Sequence, residues 1–447
     1  MKSLIKWISK NGLDDLSLLS TVTVFAISIG VSFLSQALLG NSLGLEGFGH
    51  FSSAYAKAAI LSGVLTWGLD ISALKFASSY FQSGNRKQFD RFVVHSVALT
   101  IFSSIAFVFF WFVAHKAGLG FVGEVTPMLA YTIAFWTTTR LLAALLRTVG
   151  QQALSLVVDR IVRDGFLAVV CLLAYAGILY PLTLASALYA LGIGCGIGLL
   201  ISLVAFGFGH RPVPGDMDGI PASRLEWAST SLSLWSANVL ELAFSRAEVI
   251  ILALFGQATN AGLFAVLLAI SNLLYLPVLA LNVVFQPRFA ALNVPGKEVL
   301  LRQEARRFVL AGLPITLLIG VGVLIEPRFF LALFGARGLE SESVWCLGAL
   351  VVVRMALAPT GSRAPILQMN EGHFTLAKIL LGGLLLKIVL LITPTSSLSM
   401  IWVTTVSVAS MLFVQLAIFF FSQKLLSQLR GKKTEVCNRD DLRDLAT

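Results

Sequence analysis

Residues Glu241 to Leu292 read ELAFSRAEVIILALFGQATNAGLFAVLLAISNLLYLPVLALNVVFQPRFAAL, two long apolar segments on either side of a short uncharged turn. The second segment begins with Gly262-Leu263-Phe264 and ends at Arg288-Phe289-Ala290. One arginine and two acids, Arg246, Glu241 and Glu248, interrupt the first segment. The second segment, and the first one together with the residues that precede it from Trp227, are long enough to cross a hydrocarbon core as helices. This region therefore predicts two membrane-spanning helices, the first of which carries charges.

The composition of the whole chain supports a membrane protein. Of its 447 residues, 57% are hydrophobic and only 13% are charged, whereas soluble domains contain about 25% charged residues. The net charge of +10 does not indicate nucleic-acid binding, because the basic residues lie between apolar runs and not along one soluble face. The chain is predicted to be an integral membrane protein that crosses the bilayer many times.

Apolar runs of spanning length predict twelve transmembrane segments. These are Leu16–Leu39, Phe51–Leu74, Phe92–Ala114, Pro127–Leu146, Leu154–Ala176, Leu182–Phe206, Trp227–Phe255, Ala261–Phe285, Phe308–Phe330, Val344–Met369, Phe374–Ile392 and Leu398–Phe421. The fifth carries Asp159, Arg160, Arg163 and Asp164 in its first turns, so we expect its lipid-buried part to start later. The tenth carries Arg354, Pro359 and Arg363, which predicts a kink or a water-lined segment.

Lysine and arginine are distributed unequally between the two sides of these spans. The loops on one side offer only Lys116, Arg328 and Arg337, and the other loops and both termini carry most of the remaining basic residues. Because cytoplasmic loops are rich in Lys and Arg, both termini are predicted to be cytoplasmic, with the protein in the inner (cytoplasmic) membrane. The twelve predicted spans agree with this, because an even number of spans places both termini on the same side of the membrane.

The most polar interior segment divides the chain into two halves. Residues 209–226 contain three prolines and are predicted to be a cytoplasmic linker. Residues 1–208 then form an N-terminal lobe of six helices and residues 227–423 a C-terminal lobe of six helices. Residues 424–447 are predicted to be a partly disordered cytoplasmic tail.

An internal repeat supports this division. Shifted by 213 residues, Gly49-His50-Phe51 falls on Gly262-Leu263-Phe264, and Lys75-Phe76-Ala77 falls on Arg288-Phe289-Ala290. Each half therefore contains Gly-x-Phe, one span and a basic-Phe-Ala exit at equal spacing. Six spans separate the copies, so both insert with the same orientation, as in transporters built from parallel repeats.

Several short motifs resemble those of one family. The segment Leu43-Gly44-Leu45-Glu46-Gly47-Phe48-Gly49-His50-Phe51 resembles the turn after the first span of oligosaccharide flippases, the polysaccharide-transporter branch of the superfamily that includes MATE exporters and the lipid II flippase. Residues 255–290 resemble the seventh and eighth spans of that family. Leu333-Phe334-Gly335 and Gln368-Met369-Asn370-Glu371-Gly372 also fit. Ser245-Arg246-Ala247-Glu248 departs from the Asp-Arg pair that many members carry in the seventh span.

The resemblance implies both a fold and a function. The fold is all-α, with about 12 helices in two six-helix lobes that form a MATE-like V around a central cavity. The implied function is to flip an undecaprenyl-diphosphate-linked oligosaccharide across the membrane by alternating access, for cell-surface polysaccharide biosynthesis. The implied partners are the lipid-linked glycan, membrane lipids, a polysaccharide polymerase and chain-length proteins, with no cofactor and no nucleic acid.

Charged residues within predicted spans are the candidates for binding and coupling, because burying a charge in a bilayer is costly unless it faces the protein interior or water. The basic candidates for a diphosphate and sugar site are Arg246, Arg354, Arg140, Lys57 and Lys387. Arginine suits phosphate because its planar group donates two parallel hydrogen bonds. Lys57, Lys387 and Arg140 have a second interpretation, in which their long side chains extend to a membrane surface. Arg140 could also join Arg147 on one helical face, and Asp70, near the end of a span, could be an interfacial acid. The acidic candidates for coupling to H+ or Na+ are Glu241, Glu248 and Asp70.

Two other classes of protein share features with this sequence. A MATE-type exporter of organic cations has the same expected fold, but it favours acidic and aromatic cavities, and five buried bases argue against it. A membrane polysaccharide polymerase or ligase needs a sizeable outer loop, and the longest predicted one, near Glu326–Glu342, is short. The sequence therefore favours a flippase, which is not an enzyme. The glycine-rich run 192–198 predicts close helix packing and not a nucleotide loop.

Overall fold

The computed structural model describes residues 16–118, 127–207, 224–291, 298–336, 341–369, 373–393 and 398–444. Within these ranges the chain is helical, without strands. The first eight helices are α1 (Leu16–Leu65), α2 (Leu69–Gln82), α3 (Arg86–Lys116), α4 (Pro127–Thr148), α5 (Gln152–Leu156), α6 (Val162–Tyr175), α7 (Leu184–Gly207) and α8 (Arg224–Leu254). The other eight are α9 (Ala258–Asn272), α10 (Leu276–Ala291), α11 (Glu298–Ile325), α12 (Pro327–Ala332), α13 (Ser341–Leu357), α14 (Arg363–Met369), α15 (His373–Ile392) and α16 (Met400–Asp444).

Most of the twelve predicted spans correspond to long apolar helices among the described residues. Among the described residues, nine helical segments are long and apolar enough to cross a membrane. One of them, Thr23–Leu65, has 43 residues and is long enough for two crossings. It is interrupted at Gly44, whose φ of 66° and ψ of 175° are not helical. The predicted fifth and seventh spans are also helical, but the fifth is divided into three pieces and the seventh is rich in polar side chains.

The predicted second span is broken where the sequence suggested a continuous helix. Helix α1 ends at Leu65 and α2 begins at Leu69, so the prediction of one span from Phe51 to Leu74 was wrong at this point. Trp67 and Gly68 both have positive φ angles, 51° and 71°. Side chains donate to carbonyl groups at the break: Ser103 Oγ donates to Leu65 O at 2.8 Å and Trp235 Nε1 to Val64 O at 3.0 Å.

Other spans are interrupted as well. The tenth contains a 3₁₀ turn, Ala358–Thr360, between α13 and α14, which confirms the predicted kink. A π-helical turn, Val157–Ile161, divides the fifth. The last helix continues through most of the predicted tail, to Asp444, because residues there are largely good helix formers such as Leu, Lys, Arg and Gln. The predicted linker lies mostly outside the described residues.

The chain forms two compact units. Unit 1 comprises Met1–Leu242, Gly256–Gly262 and Leu333–Ala336, and unit 2 comprises Ala243–Phe255, Leu263–Ala332 and Arg337–Thr447. Unit 1 has a core around Phe76, Phe92 and Trp227. Unit 2 has a core around Phe285, Phe289 and Phe308.

The internal repeat is visible in the packing of these cores. The phenylalanine of each basic-Phe-Ala exit packs on a phenylalanine of the following helix. In unit 1, Phe76 and Phe92 have ring centroids 6.2 Å apart and an interplanar angle of 43°. In unit 2, Phe289 and Phe308 have centroids 6.2 Å apart and an angle of 44°. The two exits thus have the same local packing, as a structural repeat requires.

The two Gly-x-Phe motifs contact each other within unit 1. A β-carbon on Gly49 would lie 1.9 Å from the carbonyl oxygen of Ala258, and one on Gly262 would lie 1.9 Å from that of Leu45. Leu45 and Ala258 are themselves 213 residues apart. The contact is therefore reciprocal under the sequence repeat, and only residues without a side chain fit it.

Candidate functional site

In unit 2, a completely buried ion pair joins α8 and α15. The ammonium of Lys387 lies 2.7 Å from Glu248 Oε1, and the side chains of both residues are only 1% exposed. Lys387 also donates to the carbonyl oxygen of Phe244 at 2.7 Å and lies 3.8 Å from the centroid of the Phe244 ring. The alternative interpretation of Lys387, in which its side chain extends to a membrane surface, was therefore wrong. Glu248 on α8 provides an inward-facing partner.

A second cation belongs to the same cluster. Arg354, near the end of α13, is within electrostatic range of Glu248, Lys387 and Tyr275. Its Nε atom is buried and has no hydrogen-bond partner among the described residues. Two predicted binding residues and one predicted coupling residue thus lie together in unit 2, with two positive charges to one negative charge.

In unit 1, Asp70 and Arg140 form an ion pair between α2 and α4. Arg140 Nε lies 2.8 Å from Asp70 Oδ2, and Thr66 donates to the other carboxylate oxygen at 3.2 Å. The Asp70 side chain is 7% exposed and that of Arg140 is 18% exposed. Asp70 lies in the first turn of α2, directly after the break in the second span. An acid in this position is favoured by the helix dipole. The pair combines a predicted coupling residue with a predicted binding residue.

A third ion pair was not predicted. Arg163 Nε and Nη2 donate to the two oxygens of Asp164 at 2.7 and 3.1 Å, and Ser32 Oγ also donates to Asp164. The Arg163 guanidinium lies over the Trp136 ring, 4.2 Å from its centroid. Both charged residues are buried, at 6% and 4% exposed. Helices α1, α4 and α7 pack around Arg163 and Asp164. The expectation that the lipid-buried part of the fifth span starts after its charged residues stays a prediction.

The glycine-rich run in α7 makes this burial possible. A β-carbon on Gly194 would lie 2.9 Å from the carbonyl oxygen of Arg163, and one on Gly198 would lie 2.7 Å from that of Val158. The prediction that this run serves close helix packing is confirmed.

Arg147 extends the charged cluster of unit 1 toward the end of α4. It is half-buried and lies within electrostatic range of Asp159, Asp70, Arg160 and Arg140. Its Nε atom is buried without a hydrogen-bond partner among the described residues. Arg147 was not among the predicted site residues. The signal that could have identified it is its spacing of seven residues from Arg140, which places both on one helical face.

The structure leaves three predicted residues outside these pairs. Arg246 on α8 and Lys57 on α1 are half-buried, and Glu241 on α8 is exposed. Glu241 and Glu248 share a helical face by spacing, but only Glu248 is buried. Their assignment to binding or coupling remains a prediction.

The two clusters have a similar charge balance. The unit 1 cluster contains four arginines and three aspartates: Arg140, Arg147, Arg160, Arg163, Asp70, Asp159 and Asp164. The unit 2 cluster contains Arg354, Lys387 and Glu248. Each therefore carries one more positive than negative charge. Among the described residues, no group of three or more His, Cys, Asp or Glu side chains is placed to hold a metal ion.

Comparisons with known proteins identify the fold. No protein-family model and no curated protein matches the chain. A multidrug resistance MATE family transporter of the MOP superfamily in its inward-facing conformation has a TM-score of 0.69 at 13% identity, over 93% of this chain and 99% of that one. A multidrug resistance MATE family transporter of the MOP superfamily in an outward-facing conformation has a TM-score of 0.65 at 14% identity, over 93% of this chain and 96% of that one.

A third solved structure differs in its described function. A MOP superfamily transporter from Pyrococcus furiosus, whose binding pocket is described as reversed in polarity and suggestive of a different function, has a TM-score of 0.68 at 15% identity, over 93% of this chain and 96% of that one. The chain has the fold of MATE transporters. The predicted all-α, multi-pass membrane fold is thereby confirmed.

Proposed function

We propose that this protein is a membrane transporter that flips an anionic, diphosphate-linked lipid oligosaccharide by alternating access. The observation that carries the proposal is a buried arginine Nε without a hydrogen-bond partner in each unit, in Arg147 and in Arg354. A buried guanidinium N–H that lacks an acceptor is costly. A diphosphate would supply acceptor oxygens in the planar geometry that arginine prefers.

Charge and fold support the same function. Both clusters have an excess of positive charge, which attracts a diphosphate and repels organic cations. The MATE-like fold is that of transporters that have been solved in inward-facing and outward-facing conformations. The motifs between residues 43 and 51 and between 255 and 290 resemble those of oligosaccharide flippases, which narrows the proposed substrate to a lipid-linked glycan.

Arg147→Gln and Arg354→Gln are each expected to slow flipping about 10-fold, because each removes a charge-assisted hydrogen bond to the diphosphate. The measurement uses the full chain reconstituted in vesicles that contain fluorescently labelled undecaprenyl-diphosphate-linked oligosaccharide. The rate at which the label becomes accessible to an outside quencher or enzyme reports flipping.

The matched control is Arg86→Gln, which removes the same charge from an exposed arginine of unit 1. Arg86 is 43% exposed and lies 3.7 Å from Asp90, so the flipping rate is expected to stay at the wild-type value. If the two buried variants flipped the lipid as fast as this control, the diphosphate role of Arg147 and Arg354 would have to be given up.

A MATE-type exporter of small organic cations is the second candidate, and the fold itself favours it equally. Such an exporter would draw its substrate to a buried carboxylate, of which Glu248 is the most enclosed. Efflux of a cationic dye from cells, lost in Glu248→Gln but retained in Arg354→Gln, would favour the exporter over the flippase.

A further inference from the structure

We infer that Lys387 is a built-in counter-cation, whose ammonium occupies a site in unit 2 that would otherwise bind a monovalent cation. The ammonium has a carboxylate oxygen of Glu248 at 2.7 Å, the carbonyl oxygen of Phe244 at 2.7 Å and the Phe244 ring face at 3.8 Å. Carboxylate oxygens, backbone carbonyl oxygens and aromatic faces all bind cations. The chain therefore surrounds its own ammonium with the ligands of a cation site.

The packing of α15 holds the ammonium in this position. Gly383 lies one turn before Lys387, and a β-carbon there would lie 2.3 Å from Val414 Cγ2 and 3.3 Å from the Phe244 ring. The absence of a side chain at Gly383 lets Phe244 pack closely against α15. Lys387 is only 1% exposed, so protein atoms and not water surround its side chain and hold it in place.

The charge of Glu248 is already balanced, and this excludes an additional cation even though one carboxylate oxygen is available. Glu248 Oε2 is buried and has no hydrogen-bond partner among the described residues, so the carboxylate retains an oxygen that a cation could use. Its single charge is already opposed by Lys387 and by Arg354, which lies within electrostatic range. A further positive ion would raise the excess charge of a buried cluster, which is unfavourable. With Lys387 in place, the site is expected to reject Na+ and K+.

Removing the ammonium is therefore expected to create a cation site. Lys387→Ala leaves Glu248, the Phe244 carbonyl group and an opening where the ammonium lay. Thermal unfolding of the purified full chain in detergent is measured in KCl, NaCl, methylammonium chloride and N-methylglucamine chloride at equal ionic strength. The variant is expected to unfold about 5 °C higher in at least one of the three small cations than in N-methylglucamine. The wild type is expected to show no such difference.

Two further variants keep this result interpretable. Lys387→Ala/Glu248→Gln lacks the carboxylate and is expected to lose the cation dependence. Lys387→Ser is a second small variant and is expected to behave like Lys387→Ala. A variant that folds only when a small cation is present would also support the inference.

Two outcomes would overturn it. The first is a wild type whose unfolding temperature rises in Na+ or K+ and loses that rise in Glu248→Gln, since the site would then accept an external ion beside Lys387. The second is a pair of small variants that either fold without any cation preference or fail to fold in every salt. This inference does not rest on the proposed substrate, so its failure would leave the proposed function standing.

Discussion

Gly49→Ala is expected to destabilise the protein by at least about 3 kcal/mol. The new β-carbon would lie 1.9 Å from the carbonyl oxygen of Ala258 and 2.8 Å from the backbone nitrogen of Gly262. Neither backbone atom can rotate away as a flexible side chain could. The two segments of unit 1 would have to separate, with loss of their packing. Denaturation of the purified protein in detergent, followed by tryptophan fluorescence, measures the effect.

Gly30→Ala is the matched control, in the helical part of α1 that precedes the interruption at Gly44. A β-carbon on Gly30 would have no atom within 4 Å. In a helix this change is expected to be neutral or to stabilise the protein by up to about 1 kcal/mol, because alanine is the better helix former. Equal behaviour of the two variants would contradict the close contact.

The double variant tests whether the two glycines contact each other. Gly262→Ala alone is expected to destabilise the protein as strongly as Gly49→Ala, because its β-carbon would lie 1.9 Å from the carbonyl oxygen of Leu45. Once either substitution has separated the segments, the second costs less. The two effects together should therefore be smaller than their sum, and strict additivity would indicate two independent sites.

The motif that predicted this contact illustrates what sequence reasoning could reach. The length of the apolar runs predicted most of the membrane helices, because a helix needs about 20 residues to cross a bilayer. Equal spacing between the two Gly-x-Phe copies predicted a structural repeat. The reciprocal contact and the matching phenylalanine pairs agree with it. The length of apolar runs and the equal spacing of repeated motifs, which can both be read directly along the chain, therefore predicted these features of the fold.

Pairing of charges was not predictable in the same way. Lys387 pairs with Glu248 on another helix, and Arg140 pairs with Asp70, which is 70 residues earlier in the chain. Which residues meet depends on which helices are neighbours, and hydropathy does not specify neighbours. The sequence identified these residues as costly to bury, and only the structure showed that four of them neutralise each other in two pairs.

Breaks within helices were also missed for a physical reason. Trp67 adopts a positive φ of 51°, which is unfavourable for a bulky residue, so propensity gave no signal there. The break is stabilised by distant groups, Ser103 on α3 and Trp235 on α8. By contrast, the kink of the tenth span was predicted, because Pro359 lies in it.

Asp164→Asn is expected to destabilise the protein by about 3–5 kcal/mol, the usual cost of removing one partner from a buried ion pair. Arg163 would keep its charge at 6% exposure without the carboxylate that accepts both of its hydrogen bonds. The Trp136 ring, 4.2 Å from the guanidinium, offsets only part of that loss. Ser32 would lose its charged acceptor as well.

Two comparisons separate this buried-charge effect from a general loss of an ion pair. Asp90→Asn removes one partner of the exposed pair Arg86–Asp90, whose side chains are 43% and 53% exposed, and is expected to change stability by less than about 0.5 kcal/mol. Arg163→Met/Asp164→Leu removes both buried charges and is expected to recover most of the stability that Asp164→Asn loses. Denaturation in detergent measures all three variants.

A double variant less stable than Asp164→Asn would mean that the pair contributes packing or hydrogen bonds beyond its charges. An Asp164→Asn protein as stable as Asp90→Asn would mean that water reaches Arg163 and that the fifth span is not enclosed there.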